Sequence, residues 1–214
     1  MNSITLHTVL PEVFQDKENL TSEIWLQEMA FQKGEYYLLE AASGTGKSSL
    51  CSFLFGYRRD YSGDICFDDR NIRNFSGEDW NLLRRNSLSL LFQDLRLFPE
   101  LTAWENVLLK NNLTGFKNRE WIETAFCRLG ISEKQTELVG KLSFGQQQRV
   151  AVIRALCQPL DFILLDEPVS HLDNDNSETM MQLLLEEARQ QGAGIVVTSI
   201  GKHPGIPYHK TLRL

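Results

Sequence analysis

The sequence predicts an α/β fold built around a mainly parallel β-sheet, and three observations support this prediction. Four short apolar runs have the composition of buried strands, and stretches with helical periodicity separate them. The first run leads directly into a glycine-containing turn and a helix start. The third run ends in two adjacent carboxylates followed by a proline. The four runs are Tyr36–Leu39, Leu88–Phe92, Phe162–Leu165 and Ile195–Thr198.

Two smaller units are expected beside this sheet. An antiparallel β sub-lobe is predicted from segments within Ile4–Phe14, Ile24–Phe31 and Gly63–Phe67, the last of which follows a Tyr-Ser-Gly turn signal. A helical sub-lobe is predicted over about residues 95–158. A further helix is expected over Asn176–Gln191, closed by the glycine that follows it.

The helical sub-lobe is predicted from helix starts and periodicity. Thr102 and Glu105 have capping-box spacing, and Ser132 and Gln135 repeat that spacing. Asn118–Leu129 carries apolar residues at helical intervals. Its aromatic side chains are expected to lie in the core and not in a ligand site.

Composition restricts the classes of function. A chain of 214 residues with 42% hydrophobic and 23% charged residues is expected to form one domain, residues 1–214. The sequence lacks a run of about 18 apolar residues and an N-terminal signal peptide, so the expected location is the cytosol and any membrane task would need a partner chain. A net charge of −6 argues against a broad nucleic-acid-binding face. The four cysteines are widely scattered, which favours buried reduced thiols over a zinc site.

Residues 41–49 have the sequence Ala-Ala-Ser-Gly-Thr-Gly-Lys-Ser-Ser and precede a helix predicted over about residues 47–55. Such a turn directs backbone N–H groups and a helix N-terminus at one point, which suits a phosphate chain. Lys47 can reach the outer phosphates, and the Ser48 hydroxyl can hold Mg²⁺. Ala41 replaces the first glycine of the pattern G-x-x-x-x-G-K-[ST]; it would cost ~1 kcal/mol or more at positive φ and is harmless at negative φ. A chance Gly-Lys-Ser turn is the alternative.

The third apolar run ends in Asp166 and Glu167, followed by Pro168. A carboxylate at a strand end beside a phosphate loop can hold Mg²⁺, usually through water. Because side chains alternate along a strand, the two acids are expected to serve different purposes. Asp166 is assigned to the metal, and Glu167 to orienting or deprotonating an attacking water. The alternative is an ordinary strand end with two solvated acids.

A capped helix start is the third chemical signal. The segment Leu-Ser-Phe-Gly-Gln over residues 142–146 places Ser143 and Gln146 at capping-box spacing before an apolar helix that extends to about Gln158. A helix N-terminus at Ser143 would favour an anion. An ordinary capped helix is the alternative, and only the order of the three signals along the chain favours a functional role.

With these motifs in this order, the sequence resembles the ATP-binding cassette (ABC) ATPases over essentially its full length. Residues 142–146 resemble their L-S-G-G-Q signature, with Phe144 in place of the first glycine. Gln93 occupies the position of the Q-loop glutamine, and residues 170–173, Ser-His-Leu-Asp, resemble the D-loop. The run over residues 92–107 is especially similar to the subfamily that drives lipoprotein release and macrolide export, which shares its pattern with the cell-division cassette FtsE.

The resemblance implies a P-loop NTPase (RecA-like) core, ATP and Mg²⁺ as ligands, and a role for each matching position. Glu167 would be the catalytic base, assisted by Gln93 and Lys47, and Mg²⁺ would lie among Ser48, Gln93 and Asp166. Phe14 would stack on adenine or, equally well, belong to the core. The residues implied to wrap the phosphates are Ser43, Gly44, Thr45, Gly46, Lys47, Ser48 and Ser49. Those implied to contact a nucleotide shared with another subunit are Ser143, Gly145, Gln146 and Asp173.

One departure from the family concerns the position after the last apolar run. The family usually has Thr-His there, with the histidine touching the γ-phosphate, whereas this chain has Ser199. Serine can donate one hydrogen bond but is short and never cationic. His203 could fold back as a substitute or simply be exposed. Together with Ala41 and Phe144, this change leads to the hypothesis that ATP binding and dimer closure are retained while hydrolysis is slow.

The resemblance favours the energy-coupling ATPase of an ABC transport complex. Its implied partners are a second cassette, identical or different, and an integral membrane permease-type subunit at the inner face of the cell membrane; no nucleic acid is expected. Leu95, Leu97 and Phe98 would line a docking surface for that subunit or simply be core. The alternative function is an FtsE-like regulatory switch that binds ATP and controls a membrane-bound cell-envelope partner. The transported substrate and its direction are not readable from this chain.

Overall fold

A computed structural model of the protein describes residues 1–17, 20–40, 42–169, 174–201 and 205–214. Ala41, the D-loop candidate over residues 170–173 with Asp173, and His203 lie outside the described residues. The strands are β1 Ser3–Pro11, β2 Glu28–Gln32, β3 Tyr36–Glu40, β4 Tyr61–Phe67, β5 Arg70–Asn71, β6 Leu88–Leu91, β7 Phe162–Asp166, β8 Gly194–Ser199 and β9 Lys210–Arg213. The helices are α1 Lys47–Leu54, α2 Gly77–Asn86, α3 Ala103–Asn111, α4 Arg119–Arg128, α5 Phe144–Leu156 and α6 Asn174–Gln191.

The central sheet has the strand order β6-β7-β8-β3-β9, and every neighbouring pair in it is parallel. The four predicted apolar runs are β3, β6, β7 and β8, and each residue of β6, β7 and β8 is buried. Parallel strands covered on both faces need such continuous apolar runs, which confirms the predicted fold class. Because the strands are parallel, the loops that follow β3, β6 and β7 all leave the same edge of the sheet.

A second sheet is antiparallel, with the order β2-β1-β4-β5. It confirms the predicted β sub-lobe, because β1, β2 and β4 overlap the three predicted segments. Within Ile24–Phe31, only the part from Glu28 onwards is a strand, because Ile24 and Trp25 are buried in a turn. The strand within Ile4–Phe14 ends at Pro11, where a 3₁₀ turn begins.

Apolar side chains form one core on each face of the parallel sheet. Successive residues of β7 show this, since Phe162 and Leu164 belong to one core while Ile163 and Leu165 belong to the other. The first core also contains residues of α1, α2 and the antiparallel sheet. The second contains residues of α3, α4, α5 and α6. The parallel sheet therefore separates the phosphate-loop side of the molecule from the helical side.

The predicted caps at Thr102 and Ser143 are confirmed, since each side chain accepts the third backbone N–H of its helix and a complete capping box forms. The box predicted at Ser132 is wrong: residues 132–134 form a 3₁₀ turn without a side-chain cap. Helix α5 ends at Leu156, two residues before the predicted Gln158. Helix α2 was not predicted. None of the helices that the structure describes is long and apolar enough to cross a bilayer.

Candidate functional site

A cavity of about 370 Å³ lies where the loops after β3, β6 and β7 leave the parallel sheet. This is the edge at which α/β sheets bind ligands. The predicted site residues that line it are Phe14, Ser43, Gly44, Gly46, Lys47, Ser48, Ser49, Gln93 and Glu167. Val13 and Ile200 line it as well, although no motif marked them. Residues from five separate parts of the chain thus converge on one cavity.

The loop before α1 is held in a cradle by its own hydrogen bonds. Thr45 Oγ1 donates to the Ala42 carbonyl at 2.9 Å, and Trp25 Nε1 donates to the Thr45 carbonyl at 3.0 Å. Gly44 and Gly46 have φ of 80° and 98°, which favour glycine. Helix α1 has no side-chain cap and no acid in its first turn. A helix start of this kind suits an anion, because the first backbone N–H groups of a helix have no intrahelical partner.

Lys47 lies across the cavity from the acidic strand end. Its side chain is 5% exposed, and Nζ donates to the Ala42 carbonyl at 2.9 Å and lies 3.5 Å from Glu167 Oε1. Gln93 Nε2 lies 3.5 Å from Glu167 Oε2. Glu167 therefore lies next to both of the other predicted catalytic side chains. The cation of Lys47 thus faces the carboxylate of Glu167.

Thr198 supports the acidic strand end, and sequence reasoning missed this role. Its hydroxyl donates to Asp166 Oδ1 at 2.7 Å and accepts the backbone N–H of Glu167 at 3.2 Å. Thr198 is fully buried and Asp166 is 6% exposed. Glu167 has a positive φ of 51°, so the chain turns there and the two adjacent carboxylates point to different places. The signal available in the sequence was the position of Thr198, a polar residue that ends the apolar run Ile195–Thr198.

Asp166 lies behind helix α1. Burial raises the pKa of the Cys51 thiol well above its ordinary value, and the negative charge of Asp166 raises it further. Asp166 is not among the residues that line the cavity surface, whereas Ser48 and Gln93 are.

Phe14 and Val13 are placed differently from one another. Phe14 is 6% exposed and belongs to the core beneath Gly46, while Val13 is 68% exposed at the cavity rim. This burial favours the core alternative for Phe14. The exposed apolar side chain at this edge of the cavity is that of Val13.

Ser199 is 4% exposed and pairs with Glu40 of β3 at the end of the sheet. The side chain that reaches the cavity from this segment is that of Ile200, which is 46% exposed. Position 199 therefore belongs to the sheet, and its neighbour supplies an apolar surface to the cavity.

The signature residues do not line this cavity. Ser143 is exposed at the N-terminus of α5, where its hydroxyl accepts the Gln146 backbone N–H at 3.3 Å. The adjacent Phe144 is 42% exposed. One turn later, Gln148 Nε2 donates to the carbonyl of Pro168, the residue after Glu167. Helix α5 is thus attached to the acidic loop, although the residues at its N-terminus do not line the cavity at the phosphate loop.

Comparison with known proteins decides the family. The sequence profile of the ABC transporter family matches residues 27–170. The chain belongs to the ABC transporter family. Among solved ABC structures, the dimeric cassette MJ0796, described as a bacterial ABC transporter cassette, is 27% identical with a TM-score of 0.78 and covers 92% of this chain and 87% of that chain. The post-hydrolysis dimer of MJ0796 bound to ADP and Pi gives a TM-score of 0.74 with the same identity and coverage.

Curated ABC relatives agree with this assignment. The ATP-binding protein YclH of Bacillus subtilis is 33% identical and covers 80% of this chain and 76% of its own length. The lipoprotein-releasing system ATP-binding protein LolD of Saccharophagus degradans is 31% identical, with coverage of 79% and 76%. The resemblance stated from the motifs and the P-loop NTPase fold are therefore confirmed.

Proposed function

We propose that this chain is the ATP-binding and ATP-hydrolysing subunit of an ABC transport complex, which couples closure of a cassette dimer to a separate membrane partner. The observation that carries this proposal is the convergence of Lys47, Gln93 and Glu167 at one phosphate loop. The loop brings a helix N-terminus, a lysine and serine hydroxyls to the place where a triphosphate would bind. The family assignment and the ADP-bound relative support the same activity.

Magnesium fits the oxygen donors around this loop. Ser48 and Gln93 line the cavity, and the buried Asp166 is the last residue of β7, next to Glu167, which lines the cavity as well. Hard oxygen donors in small number suit Mg²⁺, which keeps several waters and takes its other ligands from phosphate. When bound, the ion would neutralise charge on the outer phosphates.

The chain's own groups supply the remaining chemistry. Lys47 leaves Glu167 to bind the β- and γ-phosphates, which frees the carboxylate. Glu167 then accepts a proton from the attacking water or orients it, and Gln93 positions both. The φ of 51° at Glu167 and the hydroxyl of Thr198 hold this carboxylate apart from that of Asp166.

A complete site requires a second cassette in this proposal. Ser143, Gly145 and Gln146 would contact the γ-phosphate of the nucleotide held by the other subunit. Their position outside the cavity of their own chain and the dimers formed by MJ0796 support a head-to-tail pair. Asp173 would complete that contact.

We further propose that the complex acts at the inner face of the cell membrane, where a permease-type subunit holds this chain. Relatives named as ATP-binding proteins of ABC transporters support such a partner. The predicted docking residues differ in burial. Leu95 belongs to the core, whereas Phe98 is 47% exposed in a groove beside the Gln93 loop. Leu97 is partly buried against the core.

A regulatory switch is the second candidate, and the position of Ser199 favours it. A short, buried serine in β8 supplies no cation to the γ-phosphate. Loss of one such donor lowers a turnover rate by roughly 10²-fold. The chain would then bind ATP and close but hydrolyse slowly, unless His203 substitutes.

Steady-state turnover of Mg²⁺-ATP by the purified chain tests both candidates, with Glu167→Gln as the matched variant. We expect measurable turnover that falls by at least about 10²-fold in Glu167→Gln, while binding of a fluorescent ATP analogue is retained. Equal turnover in both proteins would refute the role of Glu167. Binding without turnover in either would favour the switch, and higher turnover in Ser199→His would identify position 199 as limiting.

A further inference from the structure

A side chain from outside the phosphate cavity contacts one of the residues that line it. Arg58 Nη1 donates to the hydroxyl oxygen of Ser49 at 2.8 Å. Ser49 lies in the first turn of α1 and lines the cavity, whereas Arg58 lies beyond the end of α1 and is not among the lining residues. The sequence motifs predicted a role for Ser49 and none for Arg58. The contact therefore extends the predicted site by one residue that no motif marks.

The guanidinium of Arg58 is held by two further contacts. Nε donates to Asp60 Oδ1 at 2.9 Å and Nη2 donates to Asp60 Oδ2, so the two side chains form a bidentate pair. The guanidinium also lies 5.3 Å from the centroid of the ring of Phe53, which is fully buried. A planar group held along one edge and against one ring has a fixed orientation. The direction of Nη1 towards Ser49 is fixed with it.

Asp60 is itself held by the antiparallel sheet. Its backbone carbonyl accepts the N–H of Glu12 at 3.0 Å. The next residue, Tyr61, begins β4 and pairs there with Pro11 of β1. The carboxylate that orients Arg58 therefore starts from a backbone position fixed between two strands.

The ion pair as a whole adds little charge to the cavity. The hydrogen bonds between the two side chains raise the pKa of Arg58 and lower that of Asp60, so both groups are ionised at neutral pH. Their opposite charges largely cancel at a distance. An effect of this pair on a ligand in the cavity must therefore pass through Ser49.

The hydrogen-bonding capacity of Ser49 shows what that effect is. A serine hydroxyl donates one hydrogen bond and accepts two, whereas a guanidinium only donates, so the Ser49 oxygen is the acceptor at this contact. A helical serine often turns its proton back to a carbonyl of the preceding turn. Within the part of the chain that the structure describes, the Ser49 hydroxyl donates to no such carbonyl. Its proton can therefore be donated to an anion in the cavity.

We propose that Arg58 is a positioning residue, which donates to the Ser49 oxygen and thereby directs the Ser49 proton at the phosphate chain of the bound nucleotide. This inference rests on the proposed function, which supplies the nucleotide. Asp60 is the second member of the pair, because its carboxylate orients the guanidinium. The contact to Ser49 is equally available before and during the reaction, so the pair lowers KM and leaves kcat unchanged.

A double-mutant cycle on nucleotide affinity tests this coupling in the full chain. Combining Arg58→Gln with Asp60→Asn removes the pair without changing the net charge. We expect this change to raise the Kd of a non-hydrolysable Mg²⁺-ATP analogue by about three- to tenfold when Ser49 is present, and by less than about twofold in a Ser49→Ala background. Equal losses of affinity in the two backgrounds would overturn the proposal, because Arg58 would then act without Ser49.

Asp60→Asn alone gives a test of opposite sign. It removes a negative charge from the surroundings of the cavity, so electrostatics alone would tighten the binding of an anionic nucleotide. The proposal requires weaker binding, with Kd raised by about threefold or more, because the bidentate pair is lost. Arg59→Gln is the control for a single change of charge at an exposed neighbouring position, and it should shift Kd by less than about twofold. Tighter or unchanged binding in Asp60→Asn would overturn the proposal.

Turnover measurements separate positioning from a merely structural role. KM for ATP should rise in the Arg58→Gln, Asp60→Asn protein while kcat stays within about twofold of the unmodified chain. A fall in kcat at unchanged KM would count against the inference. Binding by the unmodified chain without coupling between the pair and Ser49 would refute this inference alone. Failure of the unmodified chain to bind the analogue would refute the proposed function, and this inference with it.

Discussion

The phosphate loop contains two glycines that are alike in backbone and different in surroundings, which allows a sharp test. Gly44 and Gly46 both have positive φ, so alanine at either position costs ~1–2 kcal/mol in backbone strain. Alanine also stabilises by ~0.4–1 kcal/mol because it restricts the unfolded chain. The backbone contribution at each position is therefore a net loss of at most about 1.5 kcal/mol.

Only Gly46 has neighbours that a methyl group would meet. A Cβ there would lie 3.0 Å from the ring of Phe14 and 3.1 Å from that of Trp25, whereas a Cβ at Gly44 has no atom within 4 Å. Both rings are buried, at 6% and 1% exposure, and cannot easily move away. Overpacking of this kind costs a further ~1–3 kcal/mol. We expect Gly46→Ala to be about 2 kcal/mol less stable than Gly44→Ala.

Urea unfolding followed by circular dichroism, without nucleotide, measures this difference. In thermal unfolding, about 2 kcal/mol corresponds to roughly 4–8 °C for a domain of this size. Equal losses of stability in the two variants would refute the argument that the buried rings of Phe14 and Trp25 support the loop. Nucleotide is omitted because binding would add its own stabilisation to one variant more than the other.

Three further outcomes are expected. Thr198→Val should lower the free energy of unfolding by ~1.5–3 kcal/mol, because it removes the hydrogen bond to the buried Asp166. Thr198→Ser keeps the hydroxyl and should retain most of this free energy, and chemical denaturation distinguishes the two variants. Lys117→Met should lower the free energy of unfolding by ~3–5 kcal/mol, because Glu187 is 4% exposed and would lose the cation that it pairs with. The melting temperature reports this loss, and a loss below about 1 kcal/mol would contradict the prediction. At pH 8, a thiol reagent should label the exposed Cys127 first. Cys157 and Cys51 should react only on unfolding, because burial raises the pKa of Cys157 to about 12 and that of Cys51 well above its ordinary value. Prompt labelling of these two thiols in the native protein would show that the core opens.

Local chemistry made most of the site predictable. The phosphate loop and the acid pair each occupy a few consecutive residues, so the secondary structure and the chemistry of each segment could be predicted from that segment alone. The contacts between Lys47, Gln93 and Glu167 follow once the parallel strands place their ends at one edge. By contrast, the support from Thr198 depends on the register between β7 and β8, which no single segment encodes.

The elements that escaped prediction depend on distant partners or weak local signals. Strand β9 is short and mostly exposed, and it exists because it pairs with β3. Helix α2 begins at Gly77 and uses Asp79 instead of glutamate or glutamine to complete its capping box. The cavity beside the Gln93 loop is lined by cations from residues 84, 96, 110 and 154, which are far apart in the sequence, so only the fold reveals it.

Helix α5 is attached at two places to the loops that carry Gln93 and Glu167, the side chains proposed to be catalytic. Near its beginning, Gln148 donates to the Pro168 carbonyl next to Glu167, and near its end, Arg154 donates to the carbonyls of Leu95 and Arg96 after Gln93. A rigid helix with these two attachments cannot rotate against the parallel sheet without either breaking hydrogen bonds or moving both loops. Gln93 and Glu167 would then be displaced in the same event. A tilt of α5 would therefore move both groups out of position at once, so the orientation of this one helix would determine whether hydrolysis can proceed.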